Sequence, residues 1–511
     1  MMSSLSKVLF IGIDAGDKDL ILQWAKSGYL PNFNKLLSSS AWGITQSPVG
    51  LYVGAIWPSF YTGVSPARHG RYCYEQLQPG SYDVQRVSPR DVTAKPFWDA
   101  LSKSGKRVAV IDVPKTFPAE LNDGLHIVDW GSHDPDPAGF SVWPKSRASE
   151  IQEKFGVDGM HSCNAFRTTD GQFRDFRDAL IERVEKKTRL DTYFLEQGDW
   201  DCFLTCFSES HCVGHQCWHL HDERHQKYDA SLSGSVGDPI KDVYRAIDTA
   251  IGKLIEKAGS DASVVIFASH GMGPHYDATF MLDGILRRLE GEKPSRLKPN
   301  LAAFLTPVWK SLPLRMRKLA RPFRRKARVS LGLDHVDPTP AQLARRRYFS
   351  IPNNDAYGGI RINLAGREPQ GVIAPGEEYD AICKSLSEDL AAFINVSSGE
   401  PLVNRVLHSA DLYQGENAHL LPDLLVEWNR NAPVSEVYSP KTGSIHGEYK
   451  KCRTGDHKPE GLFFASGPSI KPGEIHQPVS VMDLAPTIAS LAGVELTGIE
   501  GKPIAAITGV K

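Results

Sequence analysis

The chain has 511 residues, of which 41% are hydrophobic and 23% charged, with a formal net charge of −1. That length suits two to four average domains or one large α/β domain with insertions. A near-neutral balance provides no global field toward nucleic acid or anionic membrane, so no nucleic-acid-binding module is expected.

Taken in order, short apolar runs alternate with helical stretches through roughly the first 280 residues. "KVLFIGIDAG" (7–16), "RVAVIDVP" (107–114), "DCFLTCFS" (201–208) and "ASVVIFASHG" (262–271) are apolar and rich in β-branched or aromatic residues. "DKDLILQWAKSG", "FRDALIERVEKKTRLDTYFLEQG" and "DPIKDVYRAIDTAIGKLIEKAG" have apolar residues near helical spacing, and the last two close on glycine. This alternation predicts a mostly parallel central sheet with helices on both faces. Ligands of such sheets bind beyond the carboxyl ends of the strands. Asp14, Ser208 through His211, Ser269 and His270 all fall at that edge.

From about residue 285 to 346 the character changes, and "KSLPLRMRKLARPFRRKAR" carries nine Lys/Arg between 310 and 328 with no acid. A solvated basic helix pair, a lid over an anionic substrate and a docking surface for acidic lipid head groups all suit such an insertion. The expected organisation is therefore a core over 1–284, a basic cap segment over 285–346 and a second core part over 347–511. In that last part "LPDLLVEW" reads as a late core strand and "SVMDLAPTIASLAGV" as a helix.

No run approaches the roughly 18 consecutive apolar residues of a membrane span. The first apolar run is too short for a signal peptide and leads directly into a strand. Eight cysteines, at 73, 163, 202, 206, 212, 217, 383 and 452, form no CxxC pair. They read as reduced thiols, and a cytoplasmic location is expected.

Metal-binding candidates follow from the residues alone: Asp14, His211, His215, His270 and His457. His211 and His215 share a helix face if their segment is helical. Neutral imidazoles suit zinc and other borderline first-row ions, and a carboxylate suits a second ion. A solvated loop of satisfied histidines is the alternative.

The chain resembles the alkaline phosphatase superfamily, in its type I phosphodiesterase/nucleotide pyrophosphatase-like branch. "VLFIGIDAGD" is similar to the opening strand whose aspartate holds a metal. "LPNFNKLLSSSAWG" resembles the next helix and turn, and "WPSFYTGVSPARHG" the TG-x-x-P-x-x-HG signature, with Thr62, Gly63, Pro66, His69 and Gly70 in place. "SESHCVGHQCW" resembles the D-x-x-x-H segment, "ASHGMGP" the S-D-H-G-M segment, and "TGDHKPEGLFFASGP" the late histidine motif. "VMDLAPTIASLAGV" and "EGKPI" match the closing helix and strand.

The resemblance implies an alkaline-phosphatase-like fold and one or two Zn2+ ions, with Mn2+ or Fe2+ as substitutes. It also implies a small anionic substrate. His211, His215 and His457 would form the stronger metal site. Asp14 and His270, with Ser269, would hold a weaker ion or substrate oxygens.

Three departures stand out: His211 and Ser269 occupy positions of family aspartates, and Val53 that of the Thr/Ser nucleophile. Ser59 and Tyr52 are weak substitutes for the nucleophile. The expected activity is hydrolysis of a phosphodiester, phosphomonoester or phosphonate by metal-activated water. A metal-dependent transferase or lyase, or an inactive binding protein, are the alternatives.

Overall fold

The computed structural model describes residues 7–133, 135–136, 138–158, 164–292 and 338–509. Val8–Ile13, Cys202–Phe207 and Ser263–Ala268 are buried along their whole length, as strands covered on both faces must be. Val8–Ile13 pairs in parallel with the other two. The main sheet runs Gly473–Ser480, Ala41–Gln46, Glu460–Ser466, Ser263–Ala268, Val8–Ile13, Cys202–Phe207, Val108–Ile111, Leu125–Val128, Ser141–Trp143. Glu460–Ser466 is antiparallel to both neighbours, as is the edge strand Ser141–Trp143 to its one. The fold is thus α/β with a mostly parallel central sheet.

Strand alternation divides the core in two. Leu9, Ile11 and Ile13 join one cluster with Ile21, Val184 and Ile251, from the helices Lys18–Lys26, Asp170–Gln197 and Pro239–Ala258. Val8 and Phe10 join the other with Ile56, Phe60 and Ile488, from Tyr52–Thr62 and Leu484–Leu491. Each such fully buried side chain contributes about 1.5–3 kcal/mol of transfer free energy. Asp17 caps Lys18–Lys26 by accepting from Leu20 N at 2.9 Å. Asp238 caps Pro239–Ala258, which starts on proline and ends before Gly259.

Residues 347–511, expected as one continuation of the core, contribute to separate sheets. Tyr348–Ile351, Tyr357–Ile362, Leu424–Trp428 and Val403–His408 build a four-stranded antiparallel sheet in that order. It has its own core, containing Ile285, Leu286, Leu386, Val426 and Trp428. "LPDLLVEW" lies here, and the chain rejoins the main sheet only at Glu460–Ser466. Tyr357–Ile362 is as fully buried as a main-sheet strand, so its hydrophobic pattern does not say which sheet it joins.

The basic run 310–328, like all of 293–337, lies outside the described residues. At the flanks of the expected cap, Arg346 bridges Asp283 and Glu290 at 2.7 and 2.8 Å. No helix among the described residues is long and apolar enough to cross a membrane. The expectation of reduced thiols is corrected at one position: Cys212 is disulfide-bonded, whereas Cys73, Cys202, Cys206, Cys217, Cys383 and Cys452 are free.

Candidate metal centre

Three adjacent parallel strands end at one edge, and the next residues of each carry the candidate chemistry. Asp14 N donates to Phe207 O at 2.8 Å, and Ser269 N donates to Ile13 O at 3.0 Å. These backbone bonds lock the three strand ends in register. The strand Cys202–Phe207 passes through Ser208 into the helix Glu209–His221, which puts His211 and His215 on one face.

His457 arrives from a distant part of the chain. Its strand, Gly455–Lys458, pairs antiparallel with Gly271–Pro274, opposing His457 to Met272. A glycine allows the contact with the helix. A Cβ on Gly455 would lie 2.2 Å from the carbonyl oxygen of Gly214, so only glycine lets strand and helix approach this closely. Thr454 N then donates to His215 O at 2.7 Å.

The result is a buried histidine cluster. One ligand atom from each of His211, His215 and His457 lies within 4.8 Å of the others. His215 Nδ1 is 2.7 Å from the Gly455 carbonyl. A carbonyl only accepts, so Nδ1 carries the proton and Nε2 keeps its lone pair. That Nε2 is 3.0 Å from His457 Nε2. His457 Nδ1 faces His270 Nε2 at 2.8 Å, and His270 Nδ1 faces Ser269 Oγ at 2.9 Å. Nδ1 of His211 is buried with no hydrogen-bond partner among the described residues.

Burial, first, and then the neighbouring imidazoles hold His211 and His457 well below the ordinary histidine pKa. Burial does the same to His215, and it lowers His270 to about 3. All four rings are neutral at physiological pH, with lone pairs available to a cation. Neutral imidazoles gathered in a buried site, with one unbonded ring nitrogen among them, fit a first-row metal ion such as zinc.

Asp14 and His270, the second pair that the sequence suggests, are linked through one serine. Ser269 stands between them, with Oγ 3.3 Å from Asp14 Oδ1 while accepting from Ala15 N at 3.1 Å. The same carboxylate oxygen accepts from Trp57 Nε1 at 2.8 Å. Burial raises the Asp14 pKa to about 6 against the opposing pull of Trp57, Lys115, Ser269 and Ala15. The other oxygen, Oδ2, lies 3.5 Å from His133 Nδ1. Asp14, His133 and His211 form a second group of ligand atoms within 4.8 Å of one another. His133, which the sequence reading missed, belongs to no motif. The one available signal was its place just after an apolar strand, Leu125–Val128, that ends at the same sheet edge.

The nucleophile candidates are otherwise committed. Val53 lies in the first turn of the helix Tyr52–Thr62. Tyr52 donates to the carbonyl of His457 at 3.0 Å, and burial holds its phenol well above the ordinary tyrosine range. Ser59 lies deep in the same helix, fully buried, with Oγ 2.9 Å from His69 Nε2. Its one hydrogen-bond partner among these contacts is His69, not a member of the histidine cluster. Ser269 is part of the cluster but is itself fully buried.

A charged pair backs the same strand. His275 Nδ1 is 3.0 Å from Asp277 Oδ2, and its Nε2 is 3.6 Å from Asp355 Oδ2. Burial pulls the imidazole pKa down, but the charge of Asp277 and the close carboxylates of Asp277 and Asp355 outweigh it, lifting the value from 6.5 to about 10. The folded pKa is above the unfolded one, so this pairing stabilises fully below about 6.5 and is lost as pH rises through about 10. The urea midpoint should therefore carry a falling component between pH 7 and 10 that His275→Gln removes. An unchanged pH dependence in that variant would contradict the pairing.

A mostly parallel sheet with side chains at its carboxyl edge that could hold a metal ion makes this an alkaline-phosphatase-like α/β protein. The chain belongs to the type I phosphodiesterase / nucleotide pyrophosphatase family, whose sequence model matches residues 8–448. No curated protein matches it. Among solved structures it is similar to phosphonoacetate hydrolase from Sinorhizobium meliloti 1021 in complex with phosphonoformate. The two share 14% identity over 96% of each chain, with a TM-score of 0.51, a likeness of fold. Murine ectonucleotide pyrophosphatase / phosphodiesterase 5 in complex with AMP matches at 12% identity over 97% of each chain, with a TM-score of 0.48.

Proposed function

We propose that the protein is a metal-dependent hydrolase of a phosphate ester or phosphonate, using water rather than a side chain as nucleophile. The observation that carries this reading is the buried convergence of His211, His215 and His457 in a chain of this family. These three residues would hold the ion. When bound, it would polarise a phosphoryl oxygen and make water a competent nucleophile near neutral pH.

The chain's own groups do the rest. The Gly455 carbonyl fixes the His215 tautomer, and His270 supports His457 from the opposite side. Ser269 steadies Asp14 and His270, where a family aspartate would add charge. The helix Tyr52–Thr62 begins without a side-chain cap, and its free N–H groups favour an oxyanion beside Val53. Lys115 is near enough to Asp14 to lower its pKa.

The test is a panel of phosphodiesters, phosphomonoesters, phosphonates and sulfate esters, with acid-quench trapping of any phosphorylated protein. At least one phosphorus substrate should turn over without a covalent phospho-enzyme, and Ser59→Ala should keep most of that activity. Phosphate trapped on Tyr52, Ser59 or Ser269 would overturn direct attack by water. Turnover of sulfate esters alone would overturn the substrate class.

A further inference from the structure

We propose that Asp14, His133 and His211 form a second metal-ion site, joined to the His211–His215–His457 triad through His211, whose ring would serve both ions as an imidazolate after releasing its N–H proton to solvent. The ligand set draws on a loop outside the metal-binding motifs, and it does not depend on which reaction the protein performs. The three ligand atoms lie within 4.8 Å of one another. His133 Nδ1 is 3.5 Å from Asp14 Oδ2, and the His133 and His211 rings have centroids 3.8 Å apart at 30°. Asp14 is 3% exposed and His211 5%. A carboxylate with two imidazoles is a donor set that zinc and neighbouring first-row ions accept.

The loop that carries His133 is built to hold it there. Asp112 accepts from Trp130 N at 2.8 Å and from Gly131 N at 2.9 Å, one on each carboxylate oxygen. Lys187 Nζ balances that carboxylate at 3.1 Å, deep in the core. The Arg183 guanidinium donates to the Gly131 carbonyl and also reaches Glu209 Oε1 at 3.3 Å. Glu209 is the first residue of the helix that carries His211. One buried arginine thereby ties the His133 loop to the His211 helix, fixing two ligands from separate elements relative to each other. Such rigid support outside the ligand shell is what a metal site requires.

The arrangement also suits the departures at 211 and 269. With histidine at 211 and serine at 269, Asp14 remains the one carboxylate in either ligand group. Its Oδ1 is taken by Trp57 and Ser269, which leaves Oδ2 directed toward His133. The second site is thereby moved from the His270 side of Asp14 to the His133 side.

The experiment is elemental analysis of full-length protein loaded with zinc and separated from free metal. Wild type should carry two zinc ions per chain, and His133→Ala one. Full zinc content in folded His133→Ala, or a single zinc in wild type, would overturn the second site. If His133→Ala does not fold, His133→Cys loaded with cobalt decides. A thiolate-to-cobalt charge-transfer absorption supports the site, and its absence in the folded, cobalt-loaded variant overturns it. The triad is tested separately by His457→Ala, which should lose the other ion. Retention of both ions there would sink the triad while a loss in His133→Ala upheld the present site.

Discussion

Replacing His457 by alanine should remove the ion of the triad and with it nearly all hydrolysis. His457 is the centre of the cluster, with one ring nitrogen 3.0 Å from His215 and the other 2.8 Å from His270. Its loss leaves two imidazoles of the three and frees both neighbours to reorient. Changes to residues that merely support metal ligands cost about 10–100-fold in metal affinity or activity. Loss of a ligand should cost more than about 100-fold in kcat/KM, with zinc content falling by one ion per chain. Near wild-type turnover in His457→Ala would contradict the assignment. Tyr52 and Arg430 bind only the backbone carbonyl of His457, so those contacts survive the substitution.

Gly455→Ala should damage the same site through packing alone. The added methyl would lie 2.2 Å from Gly214 O and 3.0 Å from Trp218 Cβ. The first contact is to helix backbone, which cannot rotate away as a side chain could. Strand and helix must therefore separate, carrying His457 away from His215. Overpacking of this kind costs about 1–3 kcal/mol, read as a lower urea midpoint, and metal content should fall with it. Gly234, in the helix Ala230–Val236, has open space where an added methyl would sit, with nothing within 4 Å. Gly234→Ala should be neutral or slightly stabilising, by up to about 1 kcal/mol. Equal effects from the two variants would show that the close approach at Gly455 does not matter.

What could be read from the sequence depended on how locally each feature is encoded. The central strands and their flanking helices have burial written into consecutive residues, so Val8–Ile13 and Pro239–Ala258 were legible from periodicity and caps. The His211–His215 pair was legible for the same reason, since four-residue spacing on a helix is a local property. His457 is a candidate by residue type, but only the resemblance joins it to His211 and His215, because its partner strand is Gly271–Pro274, almost two hundred residues earlier in the chain. His133 was illegible: its position depends on Asp112, Arg183 and Lys187, none near it in sequence. The four-stranded sheet was not legible because a strand such as Tyr357–Ile362 looks the same whichever sheet covers it. Ser59 reads as a weak substitute for the nucleophile, and in the helix its hydroxyl faces His69.

Metal dependence is tested most directly by comparing turnover of one responsive phosphorus substrate by the protein as purified, after chelation, and after zinc is restored. Activity should be lost on chelation and should return with zinc, in proportion to the ion bound at His211, His215 and His457. Undiminished turnover by protein shown to be free of metal would contradict hydrolysis by a metal-dependent route.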